Sequence, residues 1–459
     1  MTRPETRSEL VSERTIQVRG HIRALDGLRG VAIVLVLFHH MWPFVWSTPG
    51  MTVVTRLHNV GWIGVDLFFV LSGFLISGIL MDSRGRRGYW KNFFIRRSLR
   101  IFPLYFLYLA VVFTVLPVIL AVGGIVDPVL ADNRYTLPWF IVYASNYLHL
   151  FNDPVVQETL GLSAIRGMES GLSELVVITW SLAVEEQFYL LWPAVVLLFA
   201  PALPRVVLLM CLAALASRIG FILYIEDWGH VTNMVTLCRM DALAIGALVA
   251  WYVRSPNFSE RSWRRCTRVA TRFVLPLTLA YVLLIGGRSD PLFAGVGYTT
   301  AAVGLAGLLA LALERRRSLL RRILENRVLM VFGAYSYGLY LYHMLVWELL
   351  QYWRPASLLP DGSVADPSSY APFFGSALLD APMRLFLAVA LTLAIAWASH
   401  RFFEMPFLRL KSRFSTTGTA DGEETSRKQY VTQQEECVDS VHHSIAPAPV
   451  VGLQSLQAP

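Results

Sequence analysis

The chain has 459 residues, 55% of them hydrophobic and 16% charged, with a formal net charge of +8. A mean hydropathy of +0.50 is too apolar for an ordinary soluble domain, and several apolar runs exceed the ~18–20 residues that cross a bilayer core. The basic residues fall between those runs rather than in one block able to track a phosphate backbone. That pattern excludes nucleic acid as the expected partner and points to loops at a membrane surface.

The first ~20 residues are polar and charged, so no cleavable signal peptide is expected. Apolar segments follow at Leu28–Trp46, Val60–Met81, Ile101–Val122, Leu182–Ala200, Val206–Ile225 and Leu237–Val253. They continue at Phe273–Gly286, Leu292–Leu313, Leu329–Tyr352 and Arg384–Phe403. An eleventh candidate, Leu137–Phe151, is short and carries Asn146 and His149.

The connections decide the sidedness. Three are strongly basic: Arg84, Arg86, Arg87, Lys91, Arg96, Arg97 and Arg100; then Arg254, Arg261, Arg264, Arg265, Arg268 and Arg272; then Arg315, Arg316, Arg317, Arg321, Arg322 and Arg327. The others are poor in basic residues: 226–236 has none, 287–291 only Arg288, and 351–383 only Arg354. If Leu137–Phe151 does not cross, every basic loop falls on the side of the charged N-terminus, as the positive-inside rule requires. The expectation is an all-α, polytopic membrane helical bundle of ten transmembrane helices with both termini cytoplasmic. In it, 1–22 is a cytoplasmic N-terminal segment, 23–411 is the transmembrane domain, 123–179 is an extracytoplasmic cap, and 412–459 is a polar, disordered cytoplasmic tail. Cys211, Cys238, Cys266 and Cys437 have no metal-ligand spacing, so free thiols and no metal are expected.

Ionisable residues inside such segments are expensive and are functional candidates. In the first segment Arg29 and His40 are eleven residues apart. At ~100° and 1.5 Å per residue this places them within ~20° of one azimuth and ~16 Å apart along the axis. Asp26 shares roughly that face, while His39 points ~100° away. Asp66 is a lone carboxylate in the second segment and needs a cationic partner; Ser72, Gly73, Ser77 and Gly78 permit close packing there. Arg96, Arg97 and Arg100 enter the third segment, where they suit either topological anchoring or phosphate oxygens. Trp180-Ser-Leu-Ala-Val-Glu185-Glu186 opens the fourth, Arg239 and Asp241 form an i, i+2 pair in the sixth, and His343 lies in the ninth.

These motifs, in this order, resemble the acyltransferase-3 family of integral membrane O-acyltransferases, which modify bacterial surface glycans and antibiotic sugars. The resemblance rests on Arg29-x10-His40, Gly64-Val-Asp66-Leu-Phe-Phe, Ser72-Gly-Phe-Leu-Ile, Arg96-Arg-x-x-Arg100-Ile, Trp180-Ser-Leu-x-x-Glu185-x-x-Phe-Tyr, Tyr340-Leu-x-His343 and Glu404-x-Pro406, and covers Arg23 to Lys411. It implies a multi-pass protein of the bacterial cytoplasmic membrane, with acyl-CoA as donor, a sugar-containing acceptor, and the Arg29/His40 pair as the site essential for transfer. Some relatives carry an appended hydrolase-like domain; the polar tail resembles the stand-alone members. His40 is then expected to act as general base on the acceptor hydroxyl, or to carry the acyl group transiently. Glu185 or Asp66 would orient it. Arg29 with Arg96, Arg97 and Arg100 would hold the donor phosphates, and Asp26, Ser72, Trp180, Arg239, Asp241 and His343 would support the site or bind substrate. The competing class is a transporter or flippase whose intramembrane charges form a substrate path.

The topology is directly testable. Cysteines introduced at Ser170 and Ser259 are expected to react with an impermeant thiol reagent from opposite faces of the membrane. Labelling of both from one face would refute the ten-span arrangement.

Overall fold

The computed structural model describes residues 16–17, 20–41, 56–122, 136–152, 156–157, 174–288, 290–316, 318–352, 377–411 and 413–414. Much of the expected 123–179 cap, most of the N-terminal segment and nearly all of the 412–459 tail therefore lie outside the described residues. What is described is an all-α polytopic bundle. Its one β feature among the described residues is an isolated bridge between Ile16 and Glu314.

The long helices are α1 (Arg23–Met41), α2 (Ile63–Ser83), α3 (Tyr89–Ile119), α4 (Trp180–Phe199), α5 (Leu203–Tyr224) and α6 (Thr236–Arg254). They are followed by α7 (Glu260–Leu284), α8 (Phe293–Leu313), the bent pair α9 (Arg327–Ala334) and α10 (Ser336–Tyr352), and α11 (Ala377–Ser399). By length and composition, eight helical stretches among the described residues could cross a membrane, or up to nine if the bent pair is one span. One of the eight, Leu175–Tyr224, is 50 residues long. At 1.5 Å per residue it would measure ~75 Å, well beyond one bilayer core. It is in fact α4 and α5, joined by a 3-10 turn at Ala200–Ala202.

Successive helices alternate in direction, because their ends meet in two groups. At one end Arg254 forks onto Asp82 at 2.9 and 3.0 Å, Arg84 donates to the Leu197 carbonyl, and Trp251 donates to the Ala200 carbonyl. At the other end His39 meets His58, and Trp62 packs edge-on against Phe293 and Tyr298. Helix α2 is apolar on every face and is accordingly buried at the centre. Helices α5, α7 and α11 turn Leu209, Leu223, Leu277 and Phe386 outward, as lipid-facing helices do.

Three local features shape the site, the last two of them departures from the sequence reading. Leu137–Phe151 is a chain of short pieces, Leu137–Ile141, Ser145–Tyr147 and Leu148–Asn152, with Tyr143 in the left-handed region at φ 55°. Irregular backbone at depth needs internal partners. Gln187 of α4 supplies them, donating to the Tyr143 carbonyl at 2.7 Å and to Asn146 Oδ1 at 2.9 Å, while Tyr105 donates to the Phe140 carbonyl. Next, the basic stretch read as a loop after α6 is largely helical, running from Glu260 straight into α7. Last, the apolar run Leu329–Tyr352 is broken by a 78° bend between α9 and α10. Beside it Gly333 lies so close to α1 that an added Cβ would sit 1.9 Å from the Asp26 carbonyl oxygen.

A similarly tight crossing joins α2 and α6. A Cβ on Gly73 would lie 1.9 Å from the Leu243 carbonyl oxygen, and one on Gly246 would lie 2.0 Å from that of Val70. Backbone meets backbone at both points, so no side chain can swing aside, as in other small-residue membrane interfaces. Gly73→Val is expected to abolish the monodisperse peak of detergent-extracted protein in size-exclusion chromatography. Gly295→Ala, where nothing lies within 4 Å of the added Cβ, is expected to leave it intact.

Candidate active site

Two polar centres occupy the interior, one near each end. The first gathers cations. Arg29 bonds Asp26 one turn away at 3.2 Å, and Asp26 also pairs with His21 at 2.5 Å. That hydrogen bond raises the His21 imidazole above its ordinary value, outweighing the opposing effect of burial. Arg97 and Arg100 lie within electrostatic reach of Arg29, and Lys411, beyond α11, senses Arg29, Arg96, Arg97 and Arg100 together. The three arginines of α3 diverge. Arg96 donates to the Phe414 carbonyl at 3.0 Å, whereas Arg97 stacks over the Tyr189 ring at 4.7 Å and faces Glu185 and Glu186. The cluster has more cations than acids, and the guanidinium groups of Arg97 and Arg100 within electrostatic reach of Arg29 suit a phosphorylated ligand.

Glu185 belongs to this centre. Its two oxygens accept from Ser72 at 2.7 Å and from Tyr189 at 2.9 Å. Asp66 belongs to neither imidazole: it pairs with Arg239 at 2.5 Å, both side chains being fully buried. Among the described contacts neither carboxylate touches His40, so neither Glu185 nor Asp66 is placed to orient it directly in the way the sequence led one to expect. The reason is geometric: each acid is already held by a partner on a different helix face.

The second centre is imidazole-rich. His40 Nδ1 lies 3.2 Å from Nε2 of His343 on α10, and His343 Nδ1 lies 2.6 Å from the Tyr340 carbonyl. Tyr340 is itself braced, its hydroxyl 2.6 Å from Ser181 Oγ and 2.7 Å from the Ile178 carbonyl. The neighbouring His39 is committed at both nitrogens. Its Nδ1 donates to the His58 carbonyl at 2.9 Å, and its Nε2 accepts from Arg288 at 3.1 Å. A neutral imidazole with both nitrogens engaged has no lone pair left for chemistry. His40 is half-buried like His39, and its Nδ1 is the nitrogen that meets His343.

Arg239 and Asp241, two residues apart, do not form one pair. Side chains at i and i+2 diverge by ~200° around a helix, and each finds its own partner. Arg239 meets Asp66 and the face of Tyr298 at 3.9 Å, with the Trp180 ring 5.8 Å away. Asp241 accepts from Arg218 at 3.0 Å and from Thr299 at 2.5 Å. Arg218 and Arg288 were missed in the sequence reading. Both carried a usable signal: Arg218 is a lone arginine inside an apolar segment, and Arg288 the single basic residue of its connection.

Among the described residues, one group has metal-ligating chemistry: His149, Asp227 and His230, with ligand atoms within 4.8 Å of one another. The two rings are stacked, 10° from parallel at 5.0 Å. In-plane lone pairs of stacked rings do not meet at one ion. Asp227 precedes the helix Trp228–Met234 and holds His230 at 2.7 Å, which accounts for the group as a helix-start pair.

Known proteins share this arrangement of sequence. A family model for an acyltransferase domain, that of the acyltransferase-3 family, matches residues 22–401. The chain is 28% identical over 403 residues to the peptidoglycan O-acetyltransferase OatA of Listeria monocytogenes, covering 84% of this chain and 56% of that protein. It is 30% identical over 338 residues to a putative peptidoglycan O-acetyltransferase, YrhL, of Bacillus subtilis, covering 70% and 48%. A putative O-acetyltransferase of Staphylococcus aureus is 24% identical over 404 residues, covering 84% and 57%. The chain spans about half the length of the curated relatives it matches. No solved structure matches it.

The buried Asp66–Arg239 pair gives a stability test. Removing one partner of a buried pair strands a charge at a typical cost of ~3–5 kcal/mol, while replacing both by apolar groups is often close to neutral. Asp66→Leu alone is expected to lower the thermal midpoint in detergent sharply. The double variant Asp66→Leu/Arg239→Met is expected to recover most of that loss.

Proposed function

Because the chain belongs to the acyltransferase-3 family, we propose that it is a membrane O-acyltransferase. In this reading it moves an acetyl group from acyl-CoA to a hydroxyl of a sugar-containing acceptor. The observation that carries the proposal is the pairing, on the single helix α1, of an arginine in a cationic cluster with an imidazole ~16 Å further along. A donor with a charged nucleotide end and a long uncharged arm ending in a thioester matches that separation. Its phosphates would meet Arg29, Arg97, Arg100 and Lys411, and its thioester would reach His40.

The chemistry at His40 follows from the imidazole. The lone pair of Nε2 takes the acceptor's hydroxyl proton, the oxygen bonds to the acyl carbon, the carbon–sulfur bond breaks, and the proton passes to the leaving thiolate. Alternatively Nε2 attacks first and carries the acyl group to the acceptor. Both routes use the same atom. Glu185, held by Ser72 and Tyr189 and faced by Arg97, would serve the donor side rather than the imidazole.

The strongly basic helix ends are assigned to the cytoplasm, by the positive-inside rule. With α4 and α5 counted separately and α9–α10 as one broken span, the chain crosses ten times and both termini are cytoplasmic. The acceptor would then arrive from the opposite face, under the short helices of 137–152. The named activities of the relatives, peptidoglycan O-acetylation among them, favour a cell-wall or other surface glycan in a bacterial cytoplasmic membrane. An acyltransferase needs no ion gradient, which separates it from the transporter reading.

Purified protein in proteoliposomes without a gradient is expected to transfer label from radiolabelled acetyl-CoA to a glycan acceptor. His40→Gln is expected to lower transfer by ~10²–10⁴-fold, the usual contribution of a general base. His39→Gln, which can still accept from Arg288 and donate to the His58 carbonyl, is expected to retain most of it. Wild-type transfer by His40→Gln would remove the mechanism.

A further inference from the structure

We infer that His343 is a positioning residue that fixes the tautomer of His40, so that the reactive lone pair stands on Nε2; this rests on the reading of His40 given above. The Tyr340 carbonyl oxygen can only accept, and His343 Nδ1 lies 2.6 Å from it, so that nitrogen carries a hydrogen. His343 is fully buried, and its hydrogen-bond partners among the described residues are backbone carbonyls and another imidazole. With no carboxylate to offset a charge, it is neutral. A neutral imidazole with a hydrogen on Nδ1 has a bare lone pair on Nε2.

That lone pair faces His40 Nδ1 at 3.2 Å. Two lone pairs would repel at this distance, so His40 Nδ1 must be the donor. His40 then has its hydrogen on Nδ1, and Nε2 is the nitrogen left to take a proton or an acyl group. A carbonyl on α10 therefore sets, through two rings, which nitrogen of a histidine on α1 can react. Fixing the second nitrogen by a hydrogen bond is how a functional imidazole is commonly oriented.

The brace behind the relay is rigid. Tyr340 is anchored by its hydroxyl to Ser181 and to the Ile178 carbonyl, and α10 is pressed against α11 where Gly338 meets Ala396. When His40 takes the acceptor's proton, its Nδ1–H still points at the His343 lone pair, so the developing cation keeps an acceptor within hydrogen-bond range. One competitor exists: the Val36 carbonyl, one turn back on α1, is also a backbone partner of His40. It too would favour a hydrogen on the nearer nitrogen, so the experiment must separate the two.

The test uses the full chain in lipid nanodiscs, labelled with ¹⁵N-histidine, with transfer assayed on the same samples. In the wild type, His40 is expected to show a protonated Nδ1 and a bare Nε2, assigned by loss of its signals in His40→Gln. His343→Phe keeps the ring volume and removes the acceptor. It is expected to shift His40 towards the Nε2–H form and to lower kcat by ~10–10²-fold, the usual cost of losing a partner that orients an imidazole, with KM for acetyl-CoA unchanged. His343→Gln offers an amide oxygen to the same Nδ1–H and is expected to restore the tautomer and most of kcat. If His343→Phe keeps the wild-type tautomer, the Val36 carbonyl suffices and the inference is overturned. It is equally overturned if wild-type His40 carries its hydrogen on Nε2. Loss of the proposed function itself would appear separately, as wild-type transfer by His40→Gln, since the tautomer is read without turnover.

Discussion

Inside hydrocarbon a polar group has no water to turn to, and every buried charge or irregular turn of backbone must find its partner within the protein. That constraint organises this bundle. Asp66 is tolerable in the first turn of the buried helix α2 because Arg239 meets it from α6, and Arg239 is tolerable because Tyr298 offers a ring face as well. Asp241 and Arg218 form a second neutral unit one helix further out, completed by Thr299. The irregular pieces of 137–152 persist because one side chain, Gln187, serves their backbone and Asn146 together. The first two pairings tie α2, α5, α6 and α8 to one another, and the third ties α4 to the irregular pieces beside it.

Close backbone approach is the second half of the same logic. Helices that exchange polar contacts across short distances need small residues at the crossing. Gly73 and Gly246 lock α2 to α6, the pair that carries Asp66 and Arg239, while Gly30 and Gly333 bring α1 against the segment that bends into α10. A straight helix over 329–352 would have left Tyr340 and His343 on a different line. The 78° break turns α10 so that His343 meets a histidine 303 residues earlier in the chain.

Much of this was legible in the sequence, and the rest was hidden for identifiable reasons. The apolar segments announce themselves by length, and Arg29 and His40 share a stripe by helical arithmetic alone. Partnerships between helices are another matter. Nothing in the local sequence of Asp66 points to a residue 173 positions away, and the adjacency of Arg239 and Asp241 suggested a pair that helix geometry forbids. The bend between α9 and α10 was invisible because both halves are apolar and Gly333 reads like any packing glycine. His343 stood out as a polar residue in an apolar run and in the Tyr340-Leu-x-His343 motif, but nothing there fixed that it would reach His40 before Glu185 or Asp66 could. Arg288 was overlooked as a sparse loop charge, although it occupies one nitrogen of His39.

The adjacent histidines show how two identical side chains acquire opposite duties. Neutral imidazole has one hydrogen and one lone pair, so its use is decided by what each nitrogen faces. His39 spends its hydrogen on a carbonyl and its lone pair on a guanidinium, and is thereby fixed as structure, linking α1 to the connection before α8. His40 turns ~100° from it and meets an imidazole that can only accept. It gives up its hydrogen in that contact and keeps its lone pair. Composition, burial and depth are nearly the same for the two residues; the difference is whether the neighbour donates or accepts. A cation such as Arg288 beside His40 would have consumed the lone pair and silenced the site, whereas beside His39 it does no harm. The position of the arginine and that of the accepting imidazole are therefore two parts of one arrangement, which in the proposed reading leaves a single reactive nitrogen on α1 at the far end of the helix from the cationic cluster.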